Sequence, residues 1–226
     1  MTLFLILLSI FSLLRGANTL NIVVAGGTGR LGRVLISSLL ESSSGKVENS
    51  VTCLSRNTFL ASAPNRVSVD FGFLGKRFVS KYTNNLVMRD WDGGDLLDIV
   101  GQDWVGWEEC LEKCDVVVNL VGGFTVQREQ AQQRLTDAIR NSEKKNNRVI
   151  KQIIVAPDTT ETIKTLSPVA ISLKEKRLAK CEEIASIGKD VNILKIGLVV
   201  PDAQLAGGGG KYFSASEFSD LVLKEI

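Results

Sequence analysis

The sequence predicts an α/β protein built as a doubly wound parallel sheet, and three observations carry that prediction. From Leu20 onward, short apolar runs alternate with amphipathic stretches. The first run leads directly into a glycine turn, Asn21-Ile-Val-Val-Ala-Gly-Gly-Thr-Gly-Arg-Leu-Gly32, and a helix-like segment follows at once. Residues 116–121 are apolar except for Asn119, a run of the kind that a parallel sheet buries on both faces. Strand, crossover helix and strand in repeated order specify a sheet with right-handed connections.

The elements follow from the same pattern. Strands are predicted at residues 20–25, 51–55, 86–91, 116–121, 149–156 and 191–200, and helices at 33–41, 107–113, 127–145, 173–187 and 216–226. Residues 57–85 are richer in Gly, Asn and Ser than a normal connection and longer. A short helix or an extra hairpin is expected there. With no internal repeat, residues 19–226 read as one domain.

Residues 1–18 stand apart. Residues 3–14 are apolar except for Ser9 and Ser12, but as a helix they reach only ~20 Å, short of the ~30 Å hydrocarbon core. No stable membrane span is expected. The stretch fits the core of a targeting leader better, although no Lys or Arg precedes it and Arg15 interrupts a cleavage site. It reads as a signal for the secretory route or for an organelle such as a plastid, or as residues ahead of the true start. The rest reads as soluble.

Composition excludes several chemistries. The chain of 226 residues is 44% hydrophobic and 23% charged with a net charge of +2, which is globular and points to no nucleic-acid partner. Lys144-Lys145 and the lysines from Lys174 to Lys180 read as solvated helix faces. The absence of histidine removes Ser/His/Asp and Cys/His triads, histidine metal sites and a histidine general base. The 4 cysteines lack zinc spacing, so no metal is expected. Cys110 and Cys114 are placed on one face of a helix, as packed free thiols or, less favoured, a redox pair.

The glycine turn carries the cofactor expectation. Gly26 makes the turn, Gly29 admits a pyrophosphate close to the backbone, and Gly32 lets the helix pack on the strand. The first N–H groups of the helix then face the anion. The spacing G-x-x-G-x-x-G departs from the usual dinucleotide fingerprint, but its place between a strand and a helix supports a Rossmann-like unit. The second strand ends in Ser55-Arg56, where an NAD-selective site would carry Asp or Glu for the ribose 2′-hydroxyl. An arginine there suits a 2′-phosphate, so NADP is preferred over NAD. The fourth strand runs into Asn119-Leu-Val-Gly-Gly123, whose small residues let the backbone lie against the ribose and nicotinamide. Trp91 in Asp90-Trp-Asp-Gly93 reads equally as a packed core residue or as a neighbour of the adenine.

These segments in this order resemble the short-chain dehydrogenase/reductase superfamily, in particular its atypical, epimerase-like branch of nucleotide-sugar-epimerase-like proteins. The resemblance spans about residues 20–220 and is strongest as far as Gly123. It implies a dinucleotide lined by Gly26, Gly27, Thr28, Gly29, Arg30, Leu31, Gly32, Ser55, Arg56, Leu120, Val121 and Gly122. It also implies a Tyr-x-x-x-Lys pair after the fifth strand, which this chain lacks. Tyr82 and Tyr212 are followed at the fourth position by Leu86 and Ser216. Lys176 is the candidate for the ribose-holding lysine, with Ser172 in place of the tyrosine, although Lys174 and Lys176 also read as plain surface lysines. A serine hydroxyl is a far poorer acid than a phenol. Beyond residue 200 only a reduced substrate lobe remains, with Gly207–Gly210 as a lid or a loose connection.

Two functions of different classes are compatible with these residues. One is a cofactor-binding protein with a sensor or assembly role. The other is an NADP-dependent reductase or epimerase with an unorthodox proton donor, acting on an unidentified small molecule. A protein partner or a homodimer is left open.

Overall fold

The alternating side chains of Leu20–Ala25 (β1) feed two apolar layers, so this strand belongs in the middle of a sheet covered on both faces. Ile22 and Val24 join Leu35, Leu39, Val118, Ile153 and Phe218 on one side. Val23 and Ala25 join Trp91, Trp107, Leu111, Leu135 and Ile139 on the other. The structure is a computed structural model. It describes residues 19–41, 49–55, 58–61, 75–91, 106–121, 126–157, 168–196, 198–199 and 212–226.

The remaining strands are Asn49–Ser55 (β2), Leu86–Asp90 (β3), Val116–Asn119 (β4), Lys151–Pro157 (β5) and Asp190–Ile196 (β6). All pair in parallel, in the order β3-β2-β1-β4-β5-β6. The order reverses at β1. Parallel strands on either side of β1 send their connections to opposite faces, and in open α/β sheets such a reversal is where a ligand crevice forms, here at the carboxyl ends of β1 and β4. Val24 pairs with Cys53 on one side and Val118 on the other, so the three strand ends reach that edge together.

The helices are Arg30–Glu41 (α1), Thr58–Ala61 (α2), Lys76–Lys81 (α3), Val126–Asn146 (α4), Pro168–Ala185 (α5) and Ala215–Glu225 (α6). On α1, Leu35, Ile36, Leu39 and Leu40 form a buried stripe at helical spacing, and α6 packs beside it through Phe218 and Val222. Ser214 caps α6 by accepting from the Glu217 N–H at 3.0 Å, and Glu217 accepts from the Ser214 N–H at 2.7 Å. Those Ser214 contacts hold the Glu217 carboxyl below its ordinary range.

Several boundaries differ from expectation for physical reasons. α1 starts at Arg30 rather than residue 33, because Gly32 is tolerated inside the first turn, where it is needed for packing. Trp107–Leu111 is a 3₁₀ segment, a short tight piece that turns Trp107 and Leu111 into the core. It leaves Cys114 outside the helix, so the expected shared helical face with Cys110 does not form. β6 ends at Ile196, and Leu198–Val199 (β7) pairs instead with Tyr212–Phe213 (β8) in a separate two-stranded parallel sheet. Lys76–Lys81 supplies a short helix in the irregular segment.

Phe218 is fully buried between α6 and the sheet. Phe218→Ala should cost roughly 3–5 kcal/mol in urea unfolding, the range for truncating a core aromatic. Leu173→Ala, at a position 54% exposed, should stay within about 0.5 kcal/mol.

Candidate functional site

The crevice is built from the glycine turn upward. At the end of β1, Gly26 takes φ +77°, a conformation that side chains resist. A Cβ there would also lie 2.9 Å from the Leu120 carbonyl carbon and 3.0 Å from the Val121 nitrogen. The turn therefore presses directly against the exit of β4. Gly29 N–H donates to the Gly26 carbonyl at 3.0 Å and closes the turn, and Arg33 N–H donates to the Gly29 carbonyl at 2.9 Å as α1 begins. A Cβ on Gly32 would fall within 2.5 Å of the Gly27 carbonyl group, so the first turn of α1 sits on the loop backbone.

Gly29 differs from its neighbours. It is exposed, and the nearest atom to a Cβ built there is the Gly26 carbonyl oxygen at 3.2 Å. It stands at the start of α1, a helix end where the early N–H groups, those of Arg30 and Leu31 among them, lack intrahelical acceptors. Gly27 has a steric role that motif spacing did not assign. A Cβ there would meet Cys53 Sγ at 2.6 Å and Ile36 Cδ1 at 2.7 Å, so it is the residue on which β2 and α1 converge. The doubled glycine was the available signal.

The opposite wall comes from β4. Leu120 N–H donates to the Ala25 carbonyl at 2.9 Å, the last ladder bond before the crevice. Val121 N–H then turns to the Asn119 side chain, donating to Oδ1 at 2.9 Å. Deeper, Arg128 Nη2 donates to the Val155 carbonyl at 3.1 Å, beyond the point where β4 stops pairing with β5. Burial lowers the pKa of the Arg128 guanidinium, while a hydrogen bond with Cys181 opposes that shift.

At the end of β2, Ser55 is buried and its carbonyl accepts from Trp91 N–H at 3.0 Å. The Asp90 carboxylate accepts from the Thr58 N–H at 2.7 Å and from its hydroxyl at 3.0 Å. The chain is thus fixed to β3 on both sides of Arg56, which itself lies outside the described residues, as do Gly122, residues 92–93 and residues 207–210. Trp91 is 3% exposed and meets Trp107 edge-on, with ring centroids 5.5 Å apart. That contact makes it a core residue.

The tyrosines and lysines fall as follows. Tyr82 donates its hydroxyl to Glu41 Oε1 at 3.0 Å, at the amino edge of β3 and the far end of α1. It is remote from the crevice. Ser172 and Lys176 are exposed and one turn apart on α5. Lys174, expected as a surface lysine, is buried, and desolvation lowers its pKa. Among the described residues there is no cluster of metal-ligating side chains and no helix long and apolar enough to cross a membrane.

No protein-family model matches the chain, and no curated protein sequence matches it. Solved structures do. L-Sorbose reductase from Gluconobacter frateurii, in complex with NADPH and L-sorbose, matches with a TM-score of 0.53 at 12% identity, over 92% of this chain and 89% of that one. The oxidoreductase YlbE from Lactococcus lactis gives 0.51 at 14% identity, over 91% and 84%. Pen from Bacillus thuringiensis gives 0.52 at 10% identity over 92% of this chain, which spans 65% of that protein. The chain spans 49% and 43% of two structures that contain peptide-synthetase reductase domains. These likenesses establish the fold: a Rossmann-like parallel sheet with flanking helices.

The cysteines give a direct test of the packing around the site. All 4 are free, and burial pushes the Cys53, Cys110 and Cys114 thiols up to about 12. Thiols with raised pKa values stay protonated at neutral pH and are poor nucleophiles. In the native protein at pH 8, these three should react with a disulfide reagent at least ~100-fold more slowly than a free cysteine. Unfolding should make all of them fast. A rapid native phase that produces a Cys110–Cys114 disulfide would restore the redox pair.

Proposed function

We propose that the crevice at the carboxyl ends of β1 and β4 binds NADP(H), and that the protein serves as a cofactor-binding sensor or assembly protein without the orthodox dehydrogenase reaction. One observation carries the binding half. Gly26, Gly27 and Gly32 are each filled by the protein's own backbone or side chains, whereas Gly29 opens outward at the amino end of α1. An anion placed there meets backbone N–H groups and the positive end of the helix dipole. The residues present therefore fit a pyrophosphate. Thr28, Arg30 and Leu31 would hold it, with Leu120, Val121 and Gly122 against the nicotinamide half, and Ser55 and Arg56 at the 2′-phosphate. A bound nicotinamide supplies hydride exchange.

The non-catalytic half rests on the tyrosines. Tyr82 is engaged at the opposite edge of the sheet, and Tyr212 lies on β8 without a lysine four residues on. The fold matches include a protein crystallised with NADPH and L-sorbose, which supports a dinucleotide as the ligand class. A reductase or epimerase is the second reading. It rests on Ser172 and Lys176, accessible together on α5.

Calorimetry with NADPH and NADH tests the binding. A guanidinium–phosphate contact is worth about 1.5–3 kcal/mol, so NADPH should bind roughly 10- to 100-fold more tightly than NADH. Gly29→Asp should abolish binding of both, because its carboxylate would occupy the anion position. Unchanged affinity in that variant would refute the site. NADPH turnover with a panel of carbonyl compounds, lost in Lys176→Ala, would overturn the non-catalytic reading.

A further inference from the structure

We infer that Gln132, a buried residue of α4, is a positioning residue for the nicotinamide half of the dinucleotide, acting through Asn119. The inference rests on the proposed use of the crevice. It begins with the Val121 N–H, the first amide of the β4 exit that leaves the ladder. This N–H can only donate, and it donates to Asn119 Oδ1 at 2.9 Å. The amide of Asn119 must then turn its Nδ2 away from the crevice, where it donates to Gln132 Oε1 at 2.7 Å. Gln132 is thereby forced to present its own Nε2 to Thr136, and it donates to Oγ1 at 3.1 Å. The orientation of two side-chain amides and the acceptor role of one hydroxyl follow from a single backbone donor.

The relay is dry. Asn119 is 6% exposed, Gln132 2% and Thr136 0%. So far from bulk solvent a lost partner is costly; flipping Asn119 would set donor against donor at Val121 and acceptor against acceptor at Gln132, and flipping Gln132 would set its Nε2 against Asn119 Nδ2. The β4 exit therefore has one arrangement keyed to the second turn of α4. That arrangement sets where Leu120 and Val121 stand, and Gly26 meets both of their backbones. A change at Gln132 would reach the crevice through Asn119 without touching the ligand.

The consequence is selective. The β4 exit is the wall assigned to the ribose and nicotinamide, whereas the adenosine end rests on the β1–β2 side. A relay that merely stabilises the fold would affect both ends of the ligand alike. The probes are NADPH and 2′,5′-ADP, which carries only the adenosine end, measured by calorimetry on the wild-type full chain and on Gln132→Leu. The variant leaves Asn119 Nδ2 without its acceptor. It should weaken NADPH about tenfold while 2′,5′-ADP stays within about twofold. Thr136→Val keeps the side-chain shape and removes only the last acceptor. It should give the same selective loss at about threefold, and it carries the test if Gln132→Leu does not fold. Unchanged NADPH affinity in either folded variant, or equal loss of both ligands, would overturn the inference. Wild-type protein that binds neither ligand would instead overturn the cofactor reading on which it rests.

Discussion

The structure depends on one close approach, the backbone of Gly26 against the Leu120 carbonyl and the Val121 nitrogen. It occurs where the sheet order reverses, so the connections leaving β1 and β4 diverge to opposite faces and leave space between them. With a side chain at Gly26, the turn would have to lift away from β4. With one at Gly32, α1 would lift from the loop. Either displacement would separate the helix end from the crevice that it faces. The apolar layers on both sides of β1 then hold this geometry rigid, because Ile22, Val23, Val24 and Ala25 are all essentially inaccessible.

Legibility in the sequence followed the physics of each element. β1 was readable to the residue because an apolar run ended at a glycine with nothing to blur the boundary. The parallel order of the sheet is legible from the alternation of strand and helix, although polar residues within β2, β5 and β6 blur where those strands begin and end. The start of α1 was displaced because Gly32 looks like a breaker when isolated from the loop it packs on. The 3₁₀ segment at Trp107 shares its apolar spacing with an α-helix over so few residues that periodicity cannot separate them. Trp91 was ambiguous until its edge contact with Trp107 placed it in the core.

The polar interior was the least legible part. Gln132 and Thr136 lie on a helix whose composition reads as a solvated face, yet both are buried. By residue type they look like Gln133 and Asp137, which bond to each other at the surface; only their spacing from Leu135 and Ile139 tells them apart. Gln132 and Thr136 share the helical face of Ala131, Leu135 and Ile139, which are buried against the core. Lys174 is a second instance, a charged residue turned inward between exposed neighbours on α5. Residue type and spacing make both Lys174 and Lys176 read as surface lysines, and only Lys176 is exposed.

A dinucleotide held at the glycine turn would cover a defined set of backbone amides. Amide hydrogen exchange on the native protein, with and without saturating NADPH, reads them most directly. Bound NADPH should slow exchange at Thr28–Leu31 and at Leu120–Val121, with little change at the amino edge of the sheet around Tyr82. NADPH binding that protects other segments and leaves these amides unchanged would contradict that placement.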